Sequence, residues 1–283
     1  MFSEIMFENI TISNARRLAK LNAQVFGNHT VWTVRWFSVQ GQSQLGRNHV
    51  TQLFDALSSL VNAREIHLEL PELRALPSFA LFSTAARGPQ SQLQVLSLQA
   101  PRVSTIPNYA FYELSNLQWV RVRTDRLARV EAHAFDFDST TTSAHRVLLT
   151  IDLESNQLST GSLETGSFLH TKRPTSLRLG YNNITRLEAH TYRPFISTNP
   201  SNVIDMTGNA IKCDCSIAWL LLDDQRHLYR DRVVNARCMD PVISGSGVHQ
   251  PNIWSLNATE FNGCQNITTT GADSTDANHT EFI

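Results

Sequence analysis

Two apolar residues separated by one position recur six times between residues 63 and 212, and no other feature of the chain limits its fold as strongly. The pairs are Ile66/Leu68, Leu96/Leu98, Val120/Val122, Ile151/Leu153, Leu177/Leu179 and Ile204/Met206. Such alternation predicts a short strand with one buried face. Five residues after each second member stands a further apolar residue: Leu73, Val103, Leu127, Leu158, Ile184 and Ile211. These columns hold no polar residue, which a 41% hydrophobic composition does not produce by chance. A fourth column, Leu81, Phe111, Phe135, Phe168 and Tyr192, predicts a spine of stacked aromatics on the outer side. The pairs start 24 to 31 residues apart, so each unit is a coil that descends a strand, turns and climbs back. One coil alone cannot bury its own top and bottom and needs copies of itself on both sides.

The flanks carry different signals. Ser13 is placed to cap a helix over residues 14–26, Val31 to Val39 reads as a strand, and apolar spacing predicts an amphipathic helix from Asn48 to Val61. Residues 1–62 are therefore expected to cover the open end of the stack, with one degenerate coil inside. The N-terminus has no basic stretch followed by an apolar core, so no secretory leader is visible; the start reads as internal to a longer precursor or as one whose leader has been removed. Residues 265–283, rich in Thr, Asp and Asn, read as a solvated tail without the apolar end of a lipid-anchor signal.

Four cysteines, Cys213, Cys215, Cys238 and Cys264, all fall in the last quarter of the chain. An even, clustered count points to two disulfides and an oxidising compartment. A structural zinc site is the rival reading, but it normally needs two short Cys/His pairs and only one pair is short. Six sequons, at Asn9, Asn28, Asn183, Asn257, Asn266 and Asn278, agree with passage through a secretory compartment. A net charge of −1 gives no electrostatic case for nucleic acid or an anionic membrane. No run of 18 apolar residues is present, so no membrane insertion by this chain is expected.

The repeat resembles the Leu-x-x-Leu-x-Leu-x-x-Asn-x-Leu signature of leucine-rich repeat proteins over residues 63–212, in about six copies. The signature asparagine stands at Asn156, Asn182 and Asn209, while Pro71, Pro101 and Asp125 depart from it. Proline offers no donor, so the early coils are expected to lack the asparagine ladder and to pack more loosely. The segment Asn209-Ala-Ile-Lys-Cys213-Asp-Cys215, followed by Trp219, Cys238 and Cys264, resembles the cysteine-rich C-terminal cap of extracellular members, residues 213–264. That resemblance implies the pairing Cys213–Cys238 and Cys215–Cys264. In general layout the chain also resembles the small secreted leucine-rich repeat proteins of arthropods, among them the non-catalytic subunit of a secreted luciferase, luciferin 2-monooxygenase. The implied fold is α/β: a right-handed solenoid, or horseshoe, with a parallel concave sheet and a disulfide-stapled cap.

The sequence holds no Gly-x-Ser-x-Gly, no His-Glu-x-x-His and no phosphate-cradling glycine loop. Its ten histidines are scattered singly, and the acidic pair Asp136 and Asp138 reads as solvated. No enzyme activity, cofactor or metal is expected. In the implied fold the residues beside each buried pair project from the concave sheet. The position between the pair gives His67, Ser97, Arg121, Asp152, Arg178 and Asp205, expected to form an alternating ladder from Arg121 onward. Two residues further on come Glu69, Gln99, Arg123, Glu154, Gly180 and Thr207, with Arg123 expected beside Glu154. The position before the pair includes Trp119, and Tyr181 follows the strand of Arg178. Trp, Tyr and Arg are the residues enriched at interface hot spots. The face is therefore expected to be a partner-binding surface, made by His67, Glu69, Trp119, Arg121, Arg123, Asp152, Glu154, Arg178 and Tyr181. It is also expected to be free of glycans, since Asn183 falls in a turn. The function implied is non-covalent recognition of a protein or glycan, the partner being a cell-surface or matrix protein. The alternatives are a stabilising subunit beside a catalytic one, and the ectodomain of a receptor.

Overall fold

In a computed structural model the structure describes residues 7–264, except 23–24, 27–32, 78–80, 83–91, 113, 138–146, 169–172, 241 and 245–246. One sheet organises it. Its nine strands are all parallel, and neighbours in sequence are neighbours in space. They are β1 (Asn9–Ser13), β2 (Trp36–Gln40), β3 (Glu65–Glu69), β4 (Val95–Gln99), β5 (Trp119–Arg123), β6 (Leu149–Asp152), β7 (Thr175–Arg178), β8 (Val203–Asp205) and β9 (Val233–Val234). The register aligns Ile66, Leu96, Val120, Ile151, Leu177 and Ile204 across consecutive strands, and continues outward to Phe37 and Ile10 on one side and Val233 on the other. The three apolar columns are all buried. This is an α/β leucine-rich repeat solenoid closed by a disulfide-bonded cap.

The asparagine ladder closes the later coils. Asn182 accepts from Leu158 N–H at 3.1 Å and donates to the carbonyls of Leu153 and Leu179. Asn156 and Asn209 do the same one coil to either side. The early coils do not pack loosely, contrary to expectation. Ahead of Pro71 and Pro101 the chain turns Leu70 and Ala100 inward, both at 0% exposure. Their N–H groups donate to Gln99 and Arg123 carbonyls on the next coil, at 2.8 and 3.0 Å. The later coils make the same bond, from Ser155 to Gly180 and from Tyr181 to Thr207; what differs is that the Leu73 and Val103 N–H groups, whose counterpart Leu158 goes to Asn182, donate to the Leu70 and Ala100 carbonyls at 3.1 and 3.0 Å.

On the outer side the spine is Phe111, Phe135 and Phe168, stacked with centroids 5.0 and 5.3 Å apart. It continues through Phe195 at 5.8 Å and not through the expected Tyr192, although Tyr192 is buried too. Both lie on one helix, Ala189–Thr198, and its geometry turns Phe195 toward the spine. Arg173 braces the longest coil from within. Its guanidinium lies over Phe137 and donates to the carbonyls of Ser115 and Leu117, and burial pushes it down to about 10.

The N-terminal region departs most from expectation. The helix over 14–26 is absent among the described residues; Ile10 and Ile12 instead pack β1 against β2, and turns follow from Asn14. The strand read from Val31 begins at Trp36, with 31 and 32 outside the described residues. The amphipathic helix forms over Val50–Ser58, burying Leu53, Phe54 and Leu57.

At the other end Cys213 is bonded to Cys238 and Cys215 to Cys264. Trp219, on the helix Ala218–Leu222, donates to Leu187 O at 2.7 Å and packs against Tyr229, which ties the cap to the last full coil. Strand β9 belongs to this cap and closes the sheet's C-terminal edge.

Two outcomes are expected in urea denaturation. Asn182→Ala leaves the buried Leu158 N–H without a partner, while the Leu153 and Leu179 carbonyls keep the Asn156 and Asn209 amides, and should cost roughly 2 kcal/mol; exposed Asn183→Ala should stay within about 0.5 kcal/mol. Replacing both Cys215 and Cys264 by Ser opens a loop of 49 residues and should cost about 4 kcal/mol in the chain-entropy model.

Candidate functional site

Side chains alternate along a strand, so the polar positions between the buried columns all leave the sheet on its inner face. At the centre of that face lies a buried carboxylate. Asp152, 2% exposed, accepts from Arg121 Nε at 2.8 Å and stands 3.6 Å from an Arg178 nitrogen. Arg178 in turn pairs with Glu154 through Nε at 3.0 Å and a terminal nitrogen at 2.7 Å. Two guanidinia are therefore matched by two carboxylates across β5, β6 and β7.

The expected alternating ladder stops there. Asp205 makes no ion pair with Arg178; it accepts from the Thr207 hydroxyl at 2.6 Å, the Thr207 N–H and the Asn235 amide. Partial burial pushes its carboxyl up, but these hydrogen bonds, aided by the Arg178 charge, hold it below the ordinary carboxylate value. Arg123 is exposed and has no ion pair with Glu154, because Glu154 is already taken by Arg178.

The aromatic positions lie at opposite rims. Trp119 is 38% exposed and carries the Arg121 guanidinium 5.5 Å from its ring centre. Tyr181 is 62% exposed and sits beyond the C-terminal end of β7. The two stand five positions apart along the strand direction, roughly 16 Å at about 3.3 Å per residue. Tyr181 adopts a left-handed backbone, φ 55°, which a bulky residue rarely does. Its ring lies against Gly208, where a Cβ would come within 2.6 Å. Gly208, itself at φ 70°, thus leaves room for the tyrosine.

The remaining expected positions belong elsewhere. His67 meets Glu65 at 3.3 Å and packs against Trp36, two strands from Trp119. Glu69 accepts from Gly41 N–H at 2.6 Å, fixing the turn after β2. Asp136 pairs with His133 at 2.9 Å, and Asp138 lies outside the described residues. Of the sequons, Asn183 and Asn257 are exposed, while Asn28, Asn266 and Asn278 lie outside the described residues. Asn9 corrects an expectation: it is on β1, in the row of Trp36, Glu65, Val95 and Trp119, so the inner sheet does carry a sequon.

Sequence reading missed one feature. Val147 and Leu148, 42% and 51% exposed, precede β6 beside Trp119. The register pairs Trp119 with Thr150, two residues after Leu148, so the apolar pair and the tryptophan share one rim. The run Val147-Leu148-Leu149 offered no sign of which member faces out.

No protein-family model matches the chain, and no curated protein matches it. Solved structures do. A chain of the Toll–Spatzle complex of Drosophila is 16% identical with a TM-score of 0.42, covering 89% of this chain and 41% of that one. Human 5T4, the trophoblast glycoprotein, is 18% identical with a TM-score of 0.28, covering 70% of this chain and 87% of that one. A chain of the octameric complex of Latrophilin 3, Unc5D and FLRT2 is 14% identical with a TM-score of 0.33, covering 90% and 93%. This chain thus spans less than half the length of the Toll–Spatzle chain it aligns with. These are similarities of fold alone.

The Asp205 geometry has a pH consequence. Its folded pKa is lowered, so the stability it contributes is present above the unfolded carboxylate pKa and is lost as pH falls through the folded value. The stability gap between wild type and Asp205→Asn, read from urea midpoints, should be largest at neutral pH and shrink in acid. A gap unchanged with pH would contradict this.

Proposed function

We propose that this chain is an extracellular, non-enzymatic recognition protein that binds a protein partner through its inner sheet. The contact is centred on Trp119, Arg121 and Arg123, with Arg178 and Tyr181 extending it. The observation that carries this reading is Trp119, held outward on the sheet with the Arg121 guanidinium against its ring while Asp152 matches that guanidinium's charge. Partly buried Trp and Arg of this kind supply most of the energy at interfaces. Asp152 and Glu154 serve as the struts of that patch, and Glu69 serves the fold. Two disulfides support an oxidising, extracellular setting. In the organisation we propose, residues 1–62 cap the stack, 63–212 form the repeats, 213–264 the second cap and 265–283 a tail.

A second reading is favoured by Val147 and Leu148. An exposed apolar pair beside Trp119 suits a lasting contact, as in a stabilising subunit of a secreted hetero-oligomeric enzyme. The arthropod luciferase subunit is the pattern for that role.

Affinity capture from native secretions, followed by binding measurements with the purified partner, tests both readings. Trp119→Ala combined with Arg121→Ala should weaken binding by on the order of 100-fold, about 2.7 kcal/mol, within the hot-spot range. An unchanged Kd would remove the site. A stoichiometric partner that survives high salt, and is lost with Leu148→Asp, would favour the subunit reading.

A further inference from the structure

Strand β1 is the first strand of the sheet, and among the described residues nothing pairs with its outer edge. Unpaired edges invite pairing with another chain, and proteins protect them with charge, bulges or covering groups. β1 has none of the usual charges: it reads Asn9-Ile-Thr-Ile-Ser13, with Ile10 and Ile12 only partly buried. What it has is a sequon, with Asn9 and Thr11 both exposed on the inner face. The Asn9 amide makes no hydrogen bond among the described residues, whereas the amide oxygen of Asn257 accepts from Thr259 N–H at 3.1 Å.

The next strand holds the counterpart. Trp36 is paired in register with Asn9 on one side and with Glu65 on the other. Its β3 side is occupied by His67, with ring centres 5.7 Å apart. Its β1 side faces the sequon strand. An indole with one side covered by protein and the other beside a glycan acceptor suits the apolar face of a sugar ring.

We propose that Asn9 carries an N-linked glycan that lies over Trp36, shields the open edge at β1 and closes the first strands of the inner sheet to a partner. The reading rests on the extracellular assignment made above. In the linking step the Asn9 Nδ2 attacks the anomeric carbon of a polyprenyl-diphosphate-linked oligosaccharide. The new C–N bond replaces the C–O bond, the polyprenyl diphosphate leaves, and the amide gives up one proton. The modification leaves the contact patch free, because Trp119 lies four strands away, roughly 19 Å at about 4.8 Å per strand.

The test is glycopeptide mass spectrometry of the chain secreted from eukaryotic cells, with oxidative labelling of Trp36 before and after enzymatic deglycosylation. The proposal expects the Asn9 peptide to be occupied and Trp36 to lose its protection when the glycan is removed. Thr11→Ala should give the same loss, while Thr11→Ser, which keeps the sequon, should not. Asn9 unmodified with Asn183 or Asn257 modified would overturn the proposal and leave the extracellular reading standing. No sequon modified on the secreted chain would overturn the proposal too, and failure of the full-length protein to leave the cells would overturn the extracellular reading. An occupied Asn9 with Trp36 labelling unchanged on deglycosylation would overturn the covering role.

Discussion

Asn156, Asn182 and Asn209 are buried, and each ties backbone groups of its own coil to those of its neighbours. A solenoid turns its chain inward once per coil, and each turn buries polar backbone away from the surface. Every such group must find a partner or cost about 1–3 kcal/mol. The early coils meet the same demand differently. With Pro71 and Pro101 in place of asparagine, the Leu73 and Val103 N–H groups turn back to the Leu70 and Ala100 carbonyls of their own coil. Backbone bonds between coils, joined by the asparagines in the later ones, fix the spacing of neighbouring coils, and that spacing brings Arg121, Asp152 and Arg178 into register.

That register has an electrostatic result. Asp152 lies under two guanidinia, with Glu154 compensating the second. A buried carboxylate without partners would be costly, and here the partners are charged and close. The centre of the inner face is thus charge-matched, and the binding we propose falls to groups the network does not consume: Trp119, the outer face of Arg121, and Arg123. Exposed ion pairs stabilise little, so the network's value lies in holding these side chains in position.

The stacked columns were legible because burial imposes a period and the period survives insertions. Chemistry set by neighbours was not. Asp152 lies 31 residues from Arg121 and 26 from Arg178, and only the closed coils show it to be buried. Phe195 escaped because the helix over Ala189–Thr198 turns it where Tyr192 was expected. β1 escaped because an edge strand shows only two half-buried isoleucines, too weak a pattern against the helical spacing of Leu18, Leu21 and Val25. In the proline coils, a departure from the signature was read as a weakness, whereas the turn closes on its own backbone, from Leu73 to Leu70 and from Val103 to Ala100.

The central claim is that a partner sits on the inner face around Trp119 and not on the outer helices. Hydrogen–deuterium exchange of the chain alone and with its captured partner tests this directly. The account predicts added protection over residues 119–123 and 176–181, with the outer segment 189–198 unchanged. Protection confined to the outer segment, with residues 119–123 exchanging as in the free chain, would contradict it.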